Sequence, residues 1–270
     1  MERSTVPTLG ELFAAREQLE VAADRAFLAA LTGFRTAAAE AIPPDALTAA
    51  AGPALRAAVD AAWTAATLRV IRAAGRILGI PVPASLGDPD PTPLAVRAPG
   101  ALGVVASVVA GSDFPVAAFD AITAVLALGS REQLTARATR SALYQTLTPH
   151  GAMPRPVVDP ANPAPAPSLE EYGVSWAARS AALARASATA TVAAHALAEY
   201  EASPYAMGAR WLSMHDARVR PTHARAHGQV QPLGALFVVG GFELRYPGDP
   251  RGPLAETAGC RCILGPVYSD

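Results

Sequence analysis

Residues 9–41 read LGELFAAREQLEVAADRAFLAALTGFRTAAAEA, and this stretch decides the fold class. Its larger side chains recur at steps of three and four residues, which is the period of one face of an α-helix. The acidic residues fall mostly away from that stripe. The stripe is formed by Leu9, Leu12, Phe13, Arg16, Leu19, Ala23, Phe27, Leu31 and Phe34. The pattern predicts one long helix over 9–41 that packs against other helices and ends before Pro43-Pro44.

Four further helices are expected from the same period and from capping signals. Proline tolerates the first turn of a helix, so the second helix is expected to open at Pro53. Ser130 with Gln133, and Ser168 with Glu171, match a capping box, which satisfies free N–H groups at a helix start. The four predicted ranges are 53–78, 116–128, 130–147 and 168–200.

Two proline-rich segments, 81–100 and 149–167, show neither a helical nor a strand period, which is typical of linkers or extended arms. The predicted organisation therefore alternates helical regions and linkers, and it ends in a compact module. The predicted regions are a helical region 1–80, a linker 81–100, short helices at 101–148, a linker 149–167, a long helix 168–204 and a C-terminal module 205–270.

Composition narrows the class of protein. The hydrophobic fraction is 51%, but alanine supplies much of it and aromatics only 6%, which favours helix over a membrane protein. We expect no membrane span, because the most apolar run, 102–111, is shorter than the roughly 20 residues that a spanning helix needs. The N-terminus lacks the apolar core of a secretory signal. The formal charge of −1 argues against a protein that coats nucleic acid.

The amino-acid composition changes after Tyr205, where glycine, histidine and β-forming residues replace alanine. Strands are expected over 235–239 and 242–246, joined by Gly240-Gly241 as a two-residue hairpin turn. A third short strand is expected over 262–268. The predicted fold is therefore mainly α, with long helices, two proline-rich linkers and a small C-terminal α+β module that contains a β-hairpin.

This module carries an ordered motif. Residues 211–229 read WLSMHDARVRPTHARAHGQ, Tyr-Pro-Gly-Asp-Pro follows at 246–250, and Cys-Arg-Cys at 260–262 ends the set. Over residues 205–268 the pattern resembles the C-terminal domain of the phage Mu F-like minor capsid, or head-morphogenesis, family. It departs from that family at His227, where an acidic residue usually precedes Gly-Gln. The other motif positions are Trp211, Asp216, Arg218, Arg220, Gly228, Gln229, Tyr246, Pro247 and Arg261.

The resemblance implies a structural and assembly role, without enzymatic activity. It implies a minor head component of a phage or phage-like particle, present in several copies inside the capsid or at the portal vertex. The portal protein and other head proteins are the implied partners, and packaged DNA is a further one. The implied role is head morphogenesis, with support of DNA packaging or delivery.

Four residues of the module are candidate zinc ligands. His223 and His227 stand at positions i and i+4, which places them on one face of a short helical turn opened by Pro221. Cys260 and Cys262 point to one face of a strand because side chains alternate. Two imidazoles and two thiolates suit tetrahedral zinc. The alternative is a polar cluster that fixes the turns of the module by hydrogen bonds, while the thiols pack as small apolar groups. Its members are Asp216, Arg218, Arg220 and His223.

Two other classes of function stay open. The module between residues 205 and 262 has seven arginines against four acidic residues, a surplus that could attract the phosphates of DNA. A cysteine paired with His223 could act as a thiol–imidazole nucleophile, and a zinc-dependent enzyme is the related alternative. The chain contains no nucleophile-elbow, zinc-protease or phosphate-loop motif.

Overall fold

The computed structural model describes residues 6–41, 52–88, 90, 92–133, 135–151 and 175–269. Long helices dominate the described chain, and a small β-containing module follows the last of them, so the predicted fold class is confirmed. The helices are α1 (Leu9–Ala41), α2 (Gly52–Leu78), α3 (Leu94–Arg97), α4 (Gly100–Ala110), α5 (Phe114–Arg131), α6 (Ala136–Thr146), α7 (Trp176–Ala202), α8 (Pro221–Ala226) and α9 (Leu254–Thr257), with a 3-10 turn at Ala84–Gly87.

The strands form two small antiparallel sheets. In the first, β1 is central and pairs with β2 on one side and β5 on the other. In the second, β3 and β4 make the predicted hairpin across Gly240-Gly241, with Val239 opposite Phe242. The strands are β1 (Ala206–Leu212), β2 (Val230–Pro232), β3 (Phe237–Val239), β4 (Phe242–Leu244) and β5 (Ile263–Tyr268).

The chain divides into two units, and the division falls inside α1, α2 and α7. Unit 1 takes its described residues from Met1–Asp24, Leu68–Gly111 and Ala182–Asp270. Unit 2 takes them from Arg25–Thr67 and Ser112–Ala181. The candidate site residues all belong to unit 1.

A cluster of aromatic rings forms the core of unit 2. Phe114 lies 4.9 Å from Trp63 and nearly parallel to it, and 5.1 Å from Trp176, measured between ring centroids. Phe34 lies 6.4 Å from both Trp63 and Phe114, and Phe27 stacks on Trp63 at 5.3 Å. Large rings fill space that the many alanines leave open, so these few residues contribute much of the buried apolar area.

In unit 1 the C-terminal module packs directly on α7. The buried Tyr200 donates its hydroxyl to the carbonyl oxygen of Leu264 in β5, at 3.0 Å. Gly248, in the turn after β4, has a φ of +77°, and a β-carbon there would lie 3.1 Å from the backbone nitrogen of Ala190. A helix rich in alanine allows this close approach of backbone to backbone. The module is therefore held on α7 by β5 and by the 246–250 turn.

Several sequence predictions need correction. Helix α6 does not open at Ser130, which lies within α5, and Gln133 has a φ of 50° that ends the right-handed path. Instead, Thr135 caps α6 and accepts the N–H of Ala138 at 3.2 Å.

The predicted linker 81–100 contains a 3-10 turn and α3, and α4 begins at its last residue. Neither α4 nor the strands β1 and β2 were predicted. Three predicted features lie outside the described residues: the capping box of Ser168 and Glu171, the helix stop at Pro43-Pro44, and most of the linker 149–167.

The apolar character of α4 and α5 also corrects an expectation. By length and composition, the stretch Gly100–Gly129 is apolar enough to cross a membrane: an 18-residue window within it has a mean hydropathy of 1.7, and 39% of that window is buried. The apolar run 102–111 ends at Gly111, and the apolar character resumes in α5. The large side chains Leu102 and Val105 are buried in unit 1, and Phe114 and Ile122 in unit 2. Core helices pass the same test of length and composition, and these side chains pack as core residues do.

Candidate metal centre

Helix α8 positions His223. Pro221 occupies the first turn, as predicted, with Arg220 at the N-cap. His223 and Ala226 face inward, and His223 is only 2% exposed. The imidazole meets the indole of Trp211 edge-on, with 5.8 Å between ring centroids. Packing against the indole therefore helps to hold the imidazole ring in place, in addition to its polar contacts.

The two cysteines lie in the extended segment directly before β5, and its backbone is held from two helices. The Thr189 hydroxyl of α7 donates to the carbonyl oxygen of Cys260 at 2.7 Å. The buried Arg16 guanidinium of α1 donates to the carbonyl oxygen of Arg261 at 2.7 Å. Both thiols are free, with Cys260 1% and Cys262 3% exposed. These bonds fix the backbone of the segment that carries the two sulfur atoms against α7 and α1.

The three side chains converge on one point. The Nδ1 atom of His223 lies 3.3 Å from Sγ of Cys262 and 3.6 Å from Sγ of Cys260. All three candidate ligand atoms lie within 4.8 Å of one another. Tetrahedral zinc, with Zn–S near 2.3 Å and Zn–N near 2.0 Å, separates its sulfur and nitrogen ligands by about 3.6 Å. The group could hold a metal ion with little movement.

Glu256 orients the imidazole from the opposite side. Its Oε2 lies 3.1 Å from Nε2 of His223 and also accepts the Thr222 hydroxyl at 2.8 Å. A carboxylate that accepts Nε2–H leaves the Nδ1 lone pair facing the sulfurs. Metal-bound histidines usually have such a carboxylate partner. Gly240, at φ +61°, leaves room for this carboxylate, because a β-carbon there would collide with Glu256.

Charge within the cluster favours an ionised thiol. Burial alone would lower the pKa of His223, but the Cys260 and Glu256 side chains outweigh it, so the pKa is raised. A hydrogen bond from the Cys262 thiol, with help from His223, lowers the pKa of Cys260. The pKa of Cys262 is raised by Cys260 and by burial, while the indole N–H of Trp211 acts in the opposite direction. A metal ion binds the deprotonated ligands, so it would displace the proton of the Cys262 thiol and any proton on Nδ1 of His223.

His227 does not join this group. Helix α8 ends at Ala226, and His227 adopts φ −56° and ψ 132°, so its side chain leaves the helical face on which i and i+4 residues meet. Its Nδ1 accepts the backbone N–H of Ser213 at 3.0 Å, and its Nε2 lies 2.8 Å from Nε2 of His215. With Nδ1 occupied by a donor, the proton of the neutral ring resides on Nε2, which leaves no lone pair for a metal.

The other motif residues fix turns around the site. Trp211 is fully buried and packs on Phe237 at 5.5 Å. Asp216 receives Arg261 at 2.5 Å, and Arg220 donates to the carbonyl oxygen of Ala258. These contacts tie the 213–220 loop to the segment that carries the cysteines.

Gln229 and the 246–250 turn hold the hairpin. The Gln229 side chain accepts the N–H of Val238 at 2.9 Å and donates to its carbonyl oxygen at 3.3 Å. The buried Asp249 accepts the backbone N–H groups of Arg245 and Arg251 at 3.0 and 3.1 Å. Tyr246 and Pro247 are buried beside it, and Gly228 has a φ of +81°. Arg218 is exposed, and its backbone N–H donates to Oδ1 of Asp216 at 3.0 Å.

The role of Glu256 as the partner of His223 was not predicted from the sequence. The residue precedes Cys260 by four positions, and no spacing rule links it to a histidine more than thirty residues earlier. Its buried carboxylate becomes informative only once α9 and α8 are known to be adjacent. An acidic residue close to a cysteine pair was the only signal available.

The arrangement can support two kinds of chemistry. Two thiolates and one imidazole suit zinc. The same atoms, with Glu256 behind His223, also resemble a nucleophile, base and orienting carboxylate. A nucleophile must reach its substrate, however, and both sulfurs are almost completely buried. Metal binding needs no such access, so the geometry favours it.

Replacing Glu256 with glutamine should weaken metal binding by roughly 10- to 100-fold, because the neutral amide supports the imidazole less well than the carboxylate does. Competition with a chromophoric chelator would measure the affinity. Glu243→Gln, at an exposed position of β4, is the matched control and should leave the affinity unchanged. Equal affinities for the two variants would contradict the role assigned to Glu256.

Comparison with protein-family models, with curated proteins and with solved structures finds no match to this chain.

Proposed function

We propose that the protein is a minor head protein of a phage or phage-like particle that acts in head morphogenesis at the portal vertex. The observation that supports this proposal is the role of the motif residues. Trp211, Asp216, Arg220 and Gln229 each hold a turn or a core contact of one module. These contacts make residues 205–268 a folded module, and the assembly role itself is proposed from the resemblance of that module's motif to the Mu F-like family.

The finer proposal is that this module binds zinc through His223, Cys260 and Cys262. Zinc prefers this mixture of thiolate and imidazole, and it would crosslink α8 to the segment before β5. The buried indole N–H of Trp211 lacks a normally placed hydrogen-bond partner among the described residues. The indole N–H of Trp211 lowers the pKa of the Cys262 thiol, and an ionised, metal-bound sulfur would be a stronger acceptor for it. In this proposal the metal is structural.

The assembly role leads to a direct test. Co-expression with the portal protein from the same gene cluster should yield a complex of fixed stoichiometry that survives size-exclusion chromatography. An unrelated portal protein is the control and should not co-purify. A chain that stays separate from its own portal protein would count against the assembly role and leave the metal site standing as the property of an autonomous module.

Two further measurements, DNA binding at several salt concentrations and an assay for turnover, separate the proposal from the alternative classes. A DNA-contacting factor would bind DNA with a steep salt dependence and without the portal protein. An enzyme would show turnover that is lost in Cys260→Ser. The burial of both sulfur atoms makes us favour the assembly role over turnover.

A further inference from the structure

Two histidine side chains that are not part of the metal group meet at the start of the 213–220 loop. The Nε2 atoms of His215 and His227 lie 2.8 Å apart, and the two rings meet edge-on with 3.9 Å between their centroids. The Nδ1 atom of His227 accepts the backbone N–H of Ser213 at 3.0 Å, and the Ser213 hydroxyl oxygen lies 3.3 Å from the same atom. Because a backbone N–H can only donate, Nδ1 of His227 carries no proton in this arrangement.

These contacts determine where the protons of the pair lie. A neutral His227 without a proton on Nδ1 carries it on Nε2, which donates to Nε2 of His215. A proton added at Nδ1 of His227 would remove the acceptor of the Ser213 N–H. A proton added at Nε2 of His215 would place two donors opposite each other. The observed geometry therefore requires two neutral rings.

The backbone of His215 adopts a conformation that needs support. Its φ of 52° lies in the left-handed region, which is uncommon for a residue with a β-carbon and persists where surrounding contacts hold it. The His215 side chain is exposed, and the His227 ring is the contact that holds it. Loss of the bond between the rings would allow His215 to leave this conformation.

The loop connects the histidine pair to the metal group. Met214, the residue before His215, lines the small space beside the three candidate ligands. The next residue, Asp216, is bound to Arg261 at 2.5 Å, and this hydrogen bond lowers the pKa of the Asp216 carboxyl. The ion pair therefore persists in mild acid, so residues 213–215 can move while the rest of the loop stays in place.

We propose that His215 and His227 form a pH-sensitive latch, which holds Met214 beside the metal group at neutral pH and releases residues 213–215 in mild acid. Release would uncover a wall of the space beside the three candidate ligands, which are almost completely buried in the closed state. The latch is built from residues that are not ligands, so it operates with or without a bound ion.

The direction of the pH dependence follows from the surroundings of His227. Partial burial, followed by His215 and by Arg210 of β1, lowers the pKa of His227 below its ordinary value of about 6.5. The closed latch therefore binds a proton more weakly than the open one. Its stability is fully present above about pH 6.5 and is lost as the pH falls through the lowered pKa of His227.

The Ser213 amide proton is a direct probe, because it donates to His227 in the closed latch. Nuclear magnetic resonance of the isotope-labelled protein would measure its exchange with solvent at about pH 7.5 and about pH 5.5. Each rate would be divided by the intrinsic exchange rate at that pH. We expect the protection of this amide to fall by roughly fivefold to tenfold, since one proton changes an equilibrium by up to about tenfold per pH unit. The methyl resonance of Met214 should shift with the same midpoint.

Histidine-to-asparagine variants provide the matched pair. His215→Asn removes the acceptor of the His227 proton, while asparagine tolerates the left-handed backbone. It should lower the protection of the Ser213 amide at the higher pH toward the value that the wild-type protein has in acid. His150→Asn removes an exposed histidine of unit 2 and should leave the wild-type response unchanged.

Three results would overturn the latch. The first is protection of the Ser213 amide that does not change with pH. The second is protection in His215→Asn that equals that of the wild-type protein at both pH values. The third is an equal loss of protection at buried core positions such as Leu197 of α7, which would assign the change to global unfolding. A Met214 methyl resonance that stays in place while Ser213 loses protection would overturn the connection to the metal group.

Discussion

Adding a strong chelator to the purified protein should lower its thermal midpoint by roughly 10 °C. An ion present at about a thousand times its Kd stabilises the folded state by about 4 kcal/mol, and a kilocalorie corresponds to roughly 2–4 °C in a chain of this size. The effect is large because the metal would join α8 to the segment before β5 at a buried point. Differential scanning fluorimetry with and without chelator, together with elemental analysis for zinc and copper, would measure it.

Histidine variants give this prediction a matched control. His223→Ala should lose the metal, and chelator should then have no further effect on its thermal midpoint. His227→Ala should keep one equivalent of metal, because His227 bonds to Ser213 and His215 instead of the cysteines. Loss of metal from both variants would contradict the geometry. A wild-type protein that is free of metal and unaffected by added zinc would contradict the site as a whole.

The long helices could be predicted because their signal is local. The stripe that begins at Leu9 predicted α1 with the bounds that the structure has, and α2 begins one residue before the predicted Pro53. A helix satisfies its own backbone, so a sustained period of 3.6 and a proline at the first turn define it without knowledge of neighbours. The hairpin at Gly240-Gly241 was predictable for the same reason, since its turn and both strands are adjacent in sequence.

The central strand β1 could not be predicted in this way. Its partner β5 begins more than fifty residues later, and the pairing of Trp211 with Leu264 is a tertiary contact. Its burial pattern also deviates from strict alternation, because both Gly208 and Ala209 are buried. Small residues that pack on either face give no clear period of two.

The metal site shows a similar limit. The convergence of His223 with the two cysteines was predicted from residue type and spacing. The inclusion of His227 assumed a helix that continues past Ala226, but α8 stops there. Glu256 was missed because its role depends on the approach of α9 to α8 in three dimensions. Ligand types can be predicted from sequence, whereas the residues that orient them depend on tertiary structure.

The second large effect is expected in the core of unit 2, where Phe114→Ala should lower the free energy of unfolding by about 3–5 kcal/mol. The ring is 0% exposed and contacts Phe34, Trp63 and Trp176. Its removal leaves a cavity that alanines cannot fill and ends two close ring contacts. Urea unfolding followed by tryptophan fluorescence would measure the loss, because Trp63 and Trp176 both report on this core.

Val116→Ala is the matched control for this change, since it lies on the same helix but is 42% exposed. It should change the free energy of unfolding by no more than about 0.5 kcal/mol. Phe114→Ala should also retain one equivalent of metal, because none of the candidate ligands belongs to unit 2. If Phe114→Ala and Val116→Ala lowered the free energy of unfolding equally, the ring cluster would not be the main source of stability in the core of unit 2. Retention of metal in a strongly destabilised Phe114 variant would instead show that the stability of the helical core and the binding of the ion are separate properties of the chain.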